Sequence, residues 1–132
     1  MNRCVAATLS AAALLALAAA ATPASAQVHR NFPQKALRGA VLFETPPHIQ
    51  LNGTEVLMSP GVRIHGMDNM LKMSGALEGT KYVVDYTVES LGLVSEIWLL
   101  TPDEVKVRPW PASPAQAASW VFDPIAQTWT IP

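Results

Sequence analysis

The stretch of this chain whose side chains are spaced for chemistry is His65-Gly66-Met67-Asp68-Asn69-Met70-Leu71-Lys72-Met73. Three methionines recur at every third residue, and a histidine stands two residues before the first. Thioether sulfur and imidazole nitrogen are soft or borderline donors that suit monovalent copper or silver. His65, Met67, Met70 and Met73 are therefore the candidate metal ligands. Methionine also fills irregular gaps in cores, and a Met at every third position fits one buried side of a turn. Core packing is the expected role, and a Cu(I)/Ag(I) site is the alternative.

Other chemistry is sparse. The sequence has no Gly-x-Ser-x-Gly elbow and no serine followed three residues later by lysine. It has no His-Glu-x-x-His, no phosphate-cradling glycine loop and no EF-hand. Asp85 and Glu96 fall on neighbouring predicted strands. Glycoside hydrolysis needs two carboxylates about 5–9.5 Å apart across a sugar cleft. Two strand acids bring no cleft with them, so solvent-facing charge or a bond to a tyrosine hydroxyl is the plainer reading. The expectation is a non-catalytic protein without a resident cofactor, copper being the alternative. His29 and His48 read as surface residues. In composition, the His65/Met set with Trp98 nearby is similar to small periplasmic copper/silver chaperone barrels, which use Met, His and Trp. There the ligands lie on barrel strands, whereas here they crowd one loop.

Met1 to Ala26 have the layout of a secretory signal peptide: Arg3 first, an apolar run from Leu9 to Ala21, then Ala24-Ser25-Ala26 as a small-x-small cleavage site. Cleavage after Ala26 leaves 106 of the 132 residues, one domain spanning residues 27–132. Arg3 is the only charged residue removed, so the mature net charge is −2 with His neutral. No basic face of the kind nucleic acid needs is evident. Cys4, the one cysteine, leaves with the leader, which excludes disulfides, thiol catalysis and thiolate zinc sites. An alanine-rich leader without a lipobox cysteine fits a soluble periplasmic protein with no membrane span after cleavage.

The elements that must position these residues are short strands. Thr80–Thr101 reads as a hairpin turning at Ser90-Leu91-Gly92, with Gly92 in the left-handed region. That register pairs Val88 with Val94, Tyr86 with Glu96 and Val84 with Trp98. It gathers Tyr82, Val84, Tyr86, Val88, Val94, Trp98 and Leu100 on one apolar face and leaves Asp85, Thr87 and Glu89 on a wetter one. A four-residue loop would shift the pairing and swap which face of the second arm is inside; the first register is preferred because it collects the aromatics. Asn52-Gly53 marks a second hairpin between His48–Leu51 and Thr54–Met58. Ala40–Glu44 is an earlier strand, with one helical turn before it at Gln34–Arg38. Ser59-Pro60-Gly61 turns the chain before a short strand, Val62–Ile64, and His65–Gly79 is a loop with a strand or turn near Met70–Met73. Thr101-Pro102-Asp103-Glu104 is a capping box opening a short helix, and Ser113-Pro114 opens another. A last hairpin folds around Asp123-Pro124. Trp110, Trp120 and Trp129 cover a sheet edge or barrel end, and Trp110 between two prolines is expected to pack. Together these elements predict a mainly β fold, a small antiparallel barrel or rolled sheet of OB or SH3 type with one or two short helices.

The succession Leu51-Asn52-Gly53, Ser59-Pro60-Gly61-x-Arg63-Ile64, Asp68-Asn69-Met70-Leu71 and Leu91-Gly92-Leu93-Val94-x-x-Ile97-Trp98-Leu99-Leu100-Thr101-Pro102 resembles uncharacterised small exported proteins of Gram-negative bacteria. The resemblance implies a periplasmic setting and no activity. The functional expectation is a binding or envelope-support domain whose partner is an envelope protein or a small ligand.

Overall fold

The computed structural model describes residues 29–132; the expected leader and its expected cleavage site lie outside the described residues. Among the described residues eight strands form: β1 (Leu37–Phe43), β2 (His48–Leu51), β3 (Thr54–His65), β4 (Leu71–Lys72), β5 (Lys81–Val88), β6 (Val94–Leu99), β7 (Val121–Asp123) and β8 (Thr128–Thr130). A 3-10 turn at Ser74–Leu77 and helices α1 (Pro102–Val105) and α2 (Pro114–Ser119) complete the set. Among the described residues no helix is long and apolar enough to cross a membrane.

Strands β1, β2, β3, β6 and β5 close into a five-stranded barrel, and β5 returns to β1. One contact departs from the antiparallel expectation: β3 and β6 are parallel. The cause is the length of β3, whose first half pairs with β2 and whose second half pairs with β6. Parallel partners need a long crossover, here the whole segment from Gly66 to Leu93. Numbering the five barrel strands in sequence gives a ring order 1-2-3-5-4, the OB arrangement rather than the SH3 one. Ser59-Pro60-Gly61 does not end the strand; it lies inside β3. Pro60 has no N–H to donate, and it falls where pairing to β6 jumps from Met58–Val94 to Arg63–Glu96. The prolyl stretch bends the strand from one neighbour to the next.

The hairpin turns are as the residue types dictate. Asn52 and Gly53 both take positive φ, and so does Gly92. Residues 34–38 do not form a helical turn; Ala36 N–H bonds Pro33 O, and β1 starts at Leu37. The central hairpin keeps its predicted turn and its Val88–Val94 pair, but the next pair is Thr87–Glu96. Ser95 is an extra residue in β6, a bulge tied by its hydroxyl to Thr87 Oγ1 at 3.0 Å. Beyond it Tyr86 faces Ile97 and Val84 faces Leu99, in place of Glu96 and Trp98.

That single insertion exchanges the faces of the second arm. Ile97 and Leu99 turn inward to join Val41, Phe43, Ile49, Val84, Tyr86 and Val94 in the barrel core. Trp98 and Leu100 turn outward, yet both stay buried, because a second core covers the outside of this part of the sheet. The face carrying Asp85 and Thr87 is therefore not wet: both are almost wholly buried. Val88, at the hairpin end, is exposed. The register has a direct check. Ile97→Ala should destabilise the protein by roughly 2–5 kcal/mol in urea unfolding, as a large-to-small change in a closed core does. A near-neutral result would mean that Ile97 faces out and that the bulge is wrong.

Candidate functional site

The bulge builds a row across the outside of the barrel. Arg38 on β1 is paired with Asp85 on β5, Asp85 with Trp98 on β6, and Trp98 with His65 on β3. Directly paired residues share a face, so one row holds a guanidinium, a carboxylate, an indole and an imidazole. Two chain segments cover it. The N-terminal segment lays Phe32 edge-on against Trp98 and against Trp110, each at 5.8 Å. The tail adds Trp110, Phe122 and Trp129 in mutual contact. The indole N–H of Trp110 donates to Ala36 O, and Phe32 N–H donates to Gln127 Oε1 at 2.7 Å. The tail tryptophans thus cover a sheet face rather than an edge or a barrel end.

Two arginines fasten these layers, Arg30 buried and Arg38 partly buried. Arg38 donates through Nε and Nη2 to both oxygens of Asp85, at 2.9 and 3.3 Å, and through Nη1 to Val107 O. Its guanidinium also lies 4.8 Å from the Trp110 ring centre. Burial pushes the Asp85 carboxyl up from 3.8 to about 6, although the Arg38 hydrogen bonds and charge pull the other way. Arg30 grips both oxygens of Glu104 and donates to Gly66 O and Leu99 O. Burial alone would raise the Glu104 carboxyl; Arg30 and the Thr101 backbone N–H together hold it below its ordinary range. The Thr101/Glu104 capping box forms as its residues imply, so the carboxylate that starts α1 also anchors the N-terminal segment.

Between these segments lies a cleft of about 730 Å³ lined by His29, Phe32, Met67, Thr101, Trp110 and Gln127, among others. Its charged lining is Arg30, Arg38, Asp68, Asp103 and Glu104. Asp68 accepts from Met70 N–H and from Lys72, which hold its carboxyl below the ordinary range.

The sequence-derived ligands divide. His65 is half-buried on the row, its ring stacked on Trp98 with centroids 5.4 Å apart and planes within 8°. Its Nε2 lies 2.8 Å from Glu96 Oε1. Core packing does not describe the methionines: Met67, Met70 and Met73 are 46%, 65% and 79% exposed, and Leu71 between them is 64% exposed. Met67 lines the cleft. Among the described residues no three His, Cys, Asp or Glu side chains gather as a metal set. Asp85 and Glu96 are not an acid/base pair across a cavity; each is taken by its own cation or imidazole, and neither lines the cleft. His29 is exposed at the cleft, and exposed His48 pairs with Glu55 through Nδ1 at 2.8 Å. The sequence reading missed Arg30, Arg38 and Glu104 as site residues. The available signal was a tryptophan-rich tail in need of a landing face. Comparison with known protein families, curated proteins and solved structures finds no match.

The Asp85 environment fixes a pH dependence. Its folded pKa of about 6 lies above the ordinary 3.8, so the folded state holds the proton more tightly. Its contribution to stability is full below about pH 4 and is lost as pH rises to about 6, by at most about 3 kcal/mol. Glu104, shifted the other way, loses its contribution as pH falls, so the Asp85 share is read by difference. Urea midpoints measured from pH 4 to 8 should show this falling component in the native protein and none of it in Asp85→Asn. An identical pH slope in both would refute the burial-driven shift.

Proposed function

We propose that this protein is an exported, non-catalytic periplasmic binding domain whose ligand site is the cleft between the N-terminal segment, α1 and the β7–β8 hairpin. The observation that carries the reading is the combination in that cleft of an aromatic wall with charges already engaged inside the protein. Phe32, Trp110 and Met67 offer apolar surface. Arg30 and Arg38, which would otherwise stand ready for an anion or for acid/base work, are held by Glu104 and Asp85. A volume of about 730 Å³ suits a small molecule or a few side chains. Three acids and two arginines in the lining leave a net −1 with His29 neutral. The favoured ligand is amphipathic, with an apolar body against the aromatic wall and a cationic head that takes the place of Lys72 at Asp68, an exposed and therefore weakly held pair at the cleft rim. The leader supports a periplasmic setting, where an envelope protein or small molecule would present such a group.

The mature chain, 15N-labelled, tests this with phenethylamine as the probe, a primary amine on an aromatic body. Saturable amide shifts are expected at Phe32, Thr101, Gln127 and Thr128, with no comparable shifts when the amine is replaced by a carboxylate. Shifts confined to other surfaces, or no saturation with the amine, would overturn the assignment.

A further inference from the structure

We propose that His65, Met67 and Met73 form a binding site for a soft monovalent cation, Cu(I) or Ag(I), and that Met70 is outside it. This goes beyond the cleft reading and stands on different residues, apart from Met67 at the shared rim.

The argument starts from register. His65 on β3 is paired with Leu71 on β4, so their side chains share a face. Ile64 is paired with Lys72, and Gly66 N–H bonds Met70 O, which puts Met70 and Lys72 on the opposite face. Met73 follows β4 in extended conformation, φ −83° and ψ 133°, so alternation returns it to the His65 side. Met67 lines the cleft together with Phe32, which rests on Trp98, the stacking partner of His65. Met73 therefore lies on the imidazole's own face, Met67 stands two residues beyond His65 at the cleft that Phe32 also lines, and Met70 lies on the opposite face. The spacing of three, which suggests equivalent methionines in sequence, is broken by strand geometry of period two.

The second observation is the state of His65 itself. With Nε2 2.8 Å from Glu96 Oε1, Nδ1 is the ring nitrogen left to face a metal, and a carboxylate on the far nitrogen of an imidazole raises its donor strength. Stacking on buried Trp98 fixes the ring plane, so little orientational freedom is lost on binding. Thioethers need no deprotonation, and the mature chain has no thiol to compete for a soft ion. Met67 and Met73 are 46% and 79% exposed, so both thioethers are open to an ion from solvent.

The test uses the mature chain under anaerobic conditions. Cu(I) is titrated in competition with bicinchoninate, and Ag(I) is titrated while the methionine methyl groups are followed by NMR. One ion should bind per chain, shifting the Met67 and Met73 methyls and quenching Trp98 fluorescence. Met70→Leu should bind as the native protein does. Met67→Leu and Met73→Leu should each lose competition, and Glu96→Gln should weaken binding roughly tenfold while the protein stays folded. No competition with the chelator overturns the proposal. So does a Met70 methyl that shifts with the other two, or a Met70→Leu defect equal to theirs. Phenethylamine binding at Phe32 and Gln127 is read separately, so failure of the metal site leaves the cleft assignment standing, and the reverse.

Discussion

One surplus residue in β6 decides how the apolar side chains are shared. Without Ser95, Trp98 would point into the barrel and Ile97 out of it. With it, the branched aliphatic residues Val84, Val94, Ile97 and Leu99 line the barrel beside Phe43 and Tyr86, and the indole goes outside. An outward tryptophan between a carboxylate and an imidazole needs cover. The N-terminal segment and the tail supply it, and the cleft is the space their meeting leaves. The site is thus a by-product of the bulge, and the two ends of the described chain are its walls.

Cohesion and position come from different forces in this outer layer. Each fully buried large apolar side chain contributes about 1.5–3 kcal/mol, and favourable aromatic pairs add about 0.5–1.5 kcal/mol each. Phe32, Trp98, Trp110 and Trp129 together therefore outweigh what the ion pairs add. A buried ion pair returns little net energy once desolvation is counted, although breaking one by removing a single partner costs about 3–5 kcal/mol. The Arg30–Glu104 and Arg38–Asp85 pairs act as locators: fork-shaped donors meet carboxylates in one geometry only. They hold the N-terminal segment and β1 in register with α1 and β5. Trp129 shows the limit of this economy, because its buried indole N–H finds no partner among the described residues.

Local chemistry was legible in the sequence. Asn52-Gly53, Gly92, the Thr101 capping box and the Ser113-Pro114 helix start each carry their cause within four residues, and each stands in the structure. The mainly β barrel with two short helices follows from these turns and the alternation between them. What could not be read is non-local. A bulge leaves no mark in alternation until the partner strand is known, so alternation alone puts Trp98 on the inner face, opposite to where it lies. Pro60-Gly61 looks like a turn because a strand that changes partners uses the same residues as a chain that reverses. The arginine pairs join Arg30 to Glu104 and Arg38 to Asp85 across 74 and 47 positions, beyond any motif. The methionine spacing was visible, but its exposure and its division between two faces were not.

The wiring that seats Phe32 on Gln127 spans 95 residues, nearly the whole described chain. A protein joined beginning to end in this way has an order built into its assembly. The ring of strands closes through a parallel contact that must wait for β6, and the first segment finds its place only after the tail has arrived. Contacts of such range slow folding.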